Sequence, residues 1–197
     1  MRSVSVSAEV GHAGPWTVAD VLALADDGPH TRHELLDGTL IVSPAPSVRH
    51  QRASRKLANL LHDAADHAGA DVEVLEAVNV ELPSGLAIPD VVIADALVAS
   101  TSETTIPASA VRCAVEIISA SSRRIDRLVK PGIYAEAGIN SYLLVDLDPS
   151  PTVTVFALDG EHYRRVAEAV GVAPARLPLP FPFTVAPANL LAPHTVR

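Results

Sequence analysis

The chain has 197 residues, 48% of them apolar, and a formal net charge of −8. That length and apolar content predict one domain with a sizeable core and exclude a disordered chain. The acidic balance argues against a sequence-independent nucleic-acid coat protein.

Cys113 is the one cysteine, which excludes an internal disulfide and fits a reducing cytosol. No apolar h-region stands near the start and no run approaches about 18 apolar residues, so a cytoplasmic protein without a membrane partner is expected. Residues 1–15 read as a flexible lead-in, 16–192 as the domain and 193–197 as a tail.

Thr17 is placed to cap a short helix over Val18–Ala25, whose residues Val18, Val21, Leu22 and Ala25 share a face. Asp37-Gly38 between apolar runs signals a two-residue hairpin within His33–Val42. Ser43-Pro44-Ala45-Pro46-Ser47 ends that strand, and helical spacing of Leu57, Leu60, Leu61, Ala64 and Ala68 predicts a helix over Val48–Ala68, stopped by Gly69. Val72–Leu82 alternates as one half-exposed strand, and Pro83-Ser84-Gly85 turns the chain into Ile88–Ala94. Residues 95–110, rich in Ser, Thr and Ala, read as a loop. After the strand around Glu116, Ser121 or Ser122 is placed to cap a helix ending near Gly138, in which Pro131 should force a kink or a break after Lys130. Tyr142–Asp146 reads as a buried strand, Thr152–Leu158 and Tyr163–Ala167 as a hairpin through Asp159-Gly160, and the proline-rich remainder as extended chain with a turn at Ala188–Leu191. The order predicts a mixed α/β sheet flanked by helices, with an N-terminal helix and hairpin extension.

Two acids stand out. Glu116 lies in Ala114–Ile118 and Asp90 in Ile88–Ala94, both short β-branched runs of the kind buried on both faces. A buried carboxylate costs several kcal/mol unless a cation sits against it, and one shared cation would offset both. Basic residues cluster in two places, Arg49, Arg52, Arg55 and Lys56, then Arg123, Arg124, Arg127 and Lys130. Solvated helix faces are the plain reading of both clusters.

Six elements in order resemble the Uma2 family of restriction-endonuclease-like proteins, within the PD-(D/E)XK nuclease superfamily. They are Glu34-Leu35-Leu36-Asp37-Gly38; Ser43-Pro44-Ala45-Pro46 with His50; Pro89-Asp90; Val115-Glu116-Ile117-Ile118-Ser119; Asp126-Arg127 with Lys130; and Tyr134 with Gly138. The resemblance spans about Val18 to Leu191. It implies a restriction-endonuclease-like fold and a metal-dependent endonuclease that hydrolyses DNA. Asp90, Glu116, Lys130 and Glu34 would be catalytic, and Asp90, Glu116 and the Ile117 carbonyl would hold Mg²⁺ or Mn²⁺. His50, Asp126, Arg127, Arg123, Arg124 and Arg49 would support the site or contact nucleic acid. Hard oxygens suit such cations, which lower the pKa of a bound water and polarise a phosphoryl oxygen.

The chain departs from the superfamily spelling at Ile118, where a lysine is usual, and the resemblance implies that Lys130 fills the vacancy. Lys130 is one of two lysines beside thirteen arginines, and a compact ammonium that adjusts its pKa suits water activation. Ala120 replaces a usual proline, and Pro131 next to Lys130 threatens its aim.

Plainer alternatives stand beside each role. Asp90 and Glu116 could form a buried ion pair with Lys130 or an arginine, and Asp126 with Lys130 an ordinary i, i+4 pair. Glu34 could be only a strand residue, His50 a helix-start residue, and Arg127 a partner of Asp126 or of phosphate. His62 and Asp66 read as a solvated face. Functionally the alternatives are an inactive nuclease-like nucleic-acid-binding module and a protein-interaction domain. A homodimer would suit cutting of two strands.

Overall fold

A computed structural model describes residues 12, 14–24 and 31–193. The expected lead-in falls largely on residues 1–11 and 13, and the tail on 194–197, which lie outside the described residues, as does Ala25. Thr17 opens α1 (Val18–Leu24) with a reciprocal cap: its hydroxyl accepts from the Asp20 N–H at 3.3 Å and its own N–H donates to the Asp20 carboxylate at 2.9 Å. The expected hairpin joins β1 (Thr31–Leu36) to β2 (Thr39–Pro44) through Asp37 and Gly38, both at positive φ. In α2 (Val48–Ala68) Ser47 caps the start and Gly69, at φ 61°, closes the end.

The single strand expected over 72–82 is two strands, β3 (Val72–Glu76) and β4 (Asn79–Leu82). Ala77, at φ 53°, turns the chain between them and sends each to a different sheet. After β5 (Gly85–Ala87) and β6 (Val91–Asp95), the expected loop is ordered into α3 (Ala96–Thr101), β7 (Thr105–Pro107) and a 3₁₀ turn at Ala108–Ala110. Asp95 caps α3, and Ser100, Thr101 and Ser102 turn their hydroxyls back onto the Leu97 and Val98 carbonyls.

β8 (Val111–Ile118) is followed by a π-helical segment, Ile125–Val129, that runs directly into α4 (Lys130–Glu136). The cap is Ser119 paired with Ser122, each backbone N–H donating to the other's hydroxyl at 3.1 Å. It is neither Ser121 nor Ser122 alone, and Pro131 causes no break because the widened turn absorbs it. Then come β9 (Ser141–Asp146), β10 (Thr152–Asp159), β11 (His162–Val170) and, where extended chain was expected, a further hairpin of β12 (Ala175–Leu177) and β13 (Phe183–Val185).

The strands make two principal mixed sheets, ordered β2-β1-β5-β4-β7 and β11-β10-β9-β8-β6-β3, where one sheet was expected. The parallel pairs are β8 with β9 and β4 with β7. In β8 the even–odd alternation of strands divides two cores. Cys113, Val115 and Ile117 face α2 through Ala53, Leu57 and Leu61, while Ala114 and Ile118 face Tyr134 of α4 and Val80 of the other sheet. The class is thus the expected mixed α/β fold flanked by helices, with β8 buried on both faces.

Candidate active site

The antiparallel pairing Val91↔Val115, carried on by one residue, sets Asp90 across from Glu116. Both acids are buried and both line one cleft of about 570 Å³. Each has its own cation. The Lys130 ammonium donates to Glu116 Oε1 at 2.9 Å, lies 2.9 Å from Glu34 Oε1 and 3.9 Å from Asp126 Oδ1, and is 4% exposed. Asp90 instead takes Arg32, whose Nη1 donates to Oδ1 at 2.8 Å. The cation shared by two acids therefore joins Glu116 to Glu34 rather than to Asp90, because Asp90 reaches toward β1 and α2 while Glu116 faces α4.

Asp90 Oδ2 accepts from the Ile117 N–H at 2.8 Å and lies 3.0 Å from His50 Nε2, which also lies 2.9 Å from the Ile117 carbonyl. Two acceptors on one ring nitrogen require that Nε2 carry the proton. Burial works to lower His50, but Asp90 outweighs it and the imidazole is held above its ordinary value. Burial works to raise the Asp90 carboxyl, and His50, Arg32 and the Ile117 N–H together hold it below its ordinary value. Burial among other acids pushes Glu116 well up, with Lys130 opposing. Burial also drives Asp126 up to about 6. For Lys130, burial alone would depress the ammonium, yet Glu116, Glu34 and Asp126 reverse the sign and hold it above its usual range. The sequence suggested an ammonium that adjusts its pKa, and the three carboxylates around Lys130 favour its charged form.

Sequence reasoning placed Glu34, His50, Asp90, Glu116, Ile117, Asp126 and Lys130, and all line or adjoin the cleft; Glu34 also accepts from the Ile88 N–H at 2.8 Å. It missed Arg32, although the alternation of β1 puts Arg32 on the same face as Glu34. It also gave no role to the Tyr134 hydroxyl, which donates to Glu116 Oε1 at 2.6 Å. Arg127 does not pair with Asp126: Arg123 Nη1 and Arg127 Nη2 both donate to Asp146, at 2.7 and 2.5 Å, with Asp126 buried and Arg127 exposed. Arg49 donates to Asp148 and to the Leu147 carbonyl, and Arg124 is exposed. Lys56 donates to the Asn189 and Ala192 carbonyls. His62 and Asp66 form an exposed pair 3.7 Å apart, the solvated face expected.

A second lobe of about 510 Å³ shares Arg32, Pro46, His50 and Asp90 with the first and adds Arg52 and Arg55. Among the described residues no three His, Cys, Asp or Glu side chains converge as a ready metal site. The donors a hard divalent cation would use are nevertheless together: Asp90, the Ile117 carbonyl held through His50 to the same carboxylate, and Glu116, whose two bonds both fall on Oε1. Two carboxylates and a carbonyl beside a cleft fit Mg²⁺ or Mn²⁺, which keep several waters.

The profile of the Uma2 family, described as "Putative restriction endonuclease", matches residues 18–189. The chain belongs to the Uma2 family. Among solved structures it is similar to one described as a "putative nuclease belonging to DUF820" from Anabaena variabilis ATCC 29413, with a TM-score of 0.62 and 18% identity over 84% of this chain and 90% of that one. A search of curated proteins finds no match. Membership in Uma2 indicates a nuclease, and the structural likeness supports the fold. No helix of the described residues is long and apolar enough to cross a membrane.

Proposed function

We propose that residues 16–192 form a divalent-cation-dependent endonuclease domain that hydrolyses DNA phosphodiester bonds. The observation that carries this reading is the cross-strand pair Asp90 and Glu116 beside a fixed Lys130 at one cleft. Asp90, Glu116 and the Ile117 carbonyl would hold Mg²⁺ or Mn²⁺, which supplies a water of lowered pKa and neutralises phosphoryl charge. Lys130, permanently charged, offsets negative charge developing on the phosphate and does not act as the base. Asp126, near 6, has the basicity to accept a proton near neutrality from a group in the cleft it lines. Arg32 and Arg123 line the cleft, and Arg52 and Arg55, the latter paired with Glu76 at 3.2 Å, line the second lobe, which suits a phosphate backbone running through both. Cutting two strands favours two copies of the chain, and the buried Cys113 thiol, pushed up to about 12 by burial, suits a reducing cytoplasm.

One observation favours a second reading, an inactive nucleic-acid-binding module. Both Asp90 oxygens are already taken by Arg32, His50 and the Ile117 N–H. Titration calorimetry of Mg²⁺ and Mn²⁺ into wild type and Glu116→Gln, with nicking of supercoiled plasmid by the same samples, separates the two. Cation binding and nicking that both vanish in the variant support the nuclease. Salt-sensitive DNA binding without nicking by wild type overturns it in favour of the module.

A further inference from the structure

The helix that carries Lys130 is wound wide at one place, and the chain supplies a reason on each side of it. The Lys130 N–H reaches the Ile125 carbonyl, five residues back, where an α-helix would reach Asp126. The next residue able to serve the Asp126 carbonyl is at 131, and Pro131 has no N–H. That buried carbonyl thus loses both helical donors. Tyr142, on β9, takes their place: its hydroxyl donates to the Asp126 carbonyl at 2.7 Å. The Tyr142 ring is fixed by its neighbours, with Tyr134, Phe156 and Tyr163 centroids 5.8, 5.9 and 5.7 Å away.

The widened turn has a consequence for the site. It carries Asp126 and Lys130, which share a side as an i, i+4 pair does, and the α-helical turn that follows adds Tyr134, so that all three buried side chains face Glu116 while Arg127 and Leu128 point outward. We propose that Tyr142 is a positioning residue: by holding the carbonyl that Pro131 leaves without a helical donor, its hydroxyl fixes the π-helical turn that aims Lys130 and Asp126 at Glu116. The proline feared as a breaker beside Lys130 is then half of the device that aims it.

The effect on hydrolysis rests on the nuclease reading, so the test begins with a readout that needs no activity. The chain has two lysines, Lys56 and Lys130. Reductive methylation with formaldehyde and cyanoborohydride, read by mass spectrometry, reports Lys130 against Lys56, which lies at the surface end of α2's contact with Asn189 and Ala192. In wild type Lys130 is expected to be protected. Tyr142→Phe should raise its labelling relative to Lys56 by about tenfold, the change that one lost buried hydrogen bond produces.

Tyr163→Phe is the control for general loosening. Its hydroxyl also donates to a backbone carbonyl, Ile139, at 2.6 Å, but beyond the far end of α4, and its loss should leave Lys130 protected. Equal labelling of Lys130 in both variants, or no increase in Tyr142→Phe, overturns the proposal. In Pro131→Ala/Tyr142→Phe a backbone N–H at 131 can take the Asp126 carbonyl, so protection should return. Exposure of Lys130 in that double variant overturns the proposal even where Tyr142→Phe alone does not fold. If wild type nicks plasmid, Tyr142→Phe should lower kcat with KM unchanged. If it does not, the nuclease reading fails while the labelling still decides the positioning.

Discussion

Lys130→Met is the sharpest perturbation of this molecule. Methionine keeps much of the aliphatic stem and deletes the charge on which Glu34, Glu116 and Asp126 converge, at 2.9, 2.9 and 3.9 Å. Removing one partner of a buried ion pair costs about 3–5 kcal/mol, since the charge left behind has neither water nor a counter-ion. A domain of this size has only about 5–15 kcal/mol in hand. The acids can limit the loss by taking up protons, and that gives the prediction its sign. Burial already raises Glu116 and Asp126 with the ammonium present, and without it they rise further. The folded variant then binds protons that the unfolded chain has released, so its stability falls as pH increases through the raised values. Urea denaturation of wild type and variant at about pH 5 and about pH 7.5 should show a deficit that is small at the lower pH and reaches about 3 kcal/mol at the higher. Adding Glu116→Gln to the variant should recover part of it. A deficit below about 1 kcal/mol, as for a surface pair, or one that does not change with pH, would refute the reasoning.

Asp126 supplies a second pH prediction. Its carboxyl is raised from 3.8 to about 6 by burial, so its contribution is complete below about pH 4 and is lost as pH climbs through about 6, by roughly 3 kcal/mol at most; Asp126→Asn should flatten the stability profile across that window, and an unchanged slope would count against the burial argument. Gly85→Ala tests the β1–β5 contact: a Cβ there would lie 2.0 Å from the Leu35 carbonyl oxygen, on a backbone at φ 154°, so a loss of about 3 kcal/mol or more is expected by thermal unfolding, and a near-neutral result would mean that β5 does not pack on β1 as described.

The parts of the fold that sequence made legible are those decided locally. Asp37-Gly38 needs positive φ at two positions and has it, and Ser47 and Gly69 bracket a helix whose leucines recur at helical spacing. What stayed hidden depended on distant partners. Nothing in Val72–Leu82 marks Ala77 as the residue that turns, since an alanine carries no preference for φ 53°; the change of sheet is imposed by the pairing of β3 with β6 and of β4 with β5. Pro131 was legible as a breaker only because the rule counts donors within the helix, and the compensating donor, Tyr142, comes from a strand.

The candidate site divides in the same way. That Asp90 and Glu116 needed cations followed from their apolar flanks alone, but which cation served which acid did not, because Arg32 and Lys130 arrive from different elements far apart in the chain, β1 and α4. The chemistry of Lys130 shows why this matters. Its burial alone argues for a lowered pKa and a lysine able to give up its proton near neutrality. Three carboxylates closing on it argue the reverse, and with two of them at 2.9 Å they prevail. The same residue at the same position is therefore a base or a permanent cation according to neighbours that no local stretch of sequence contains. Here three carboxylates converge on it and favour the ammonium.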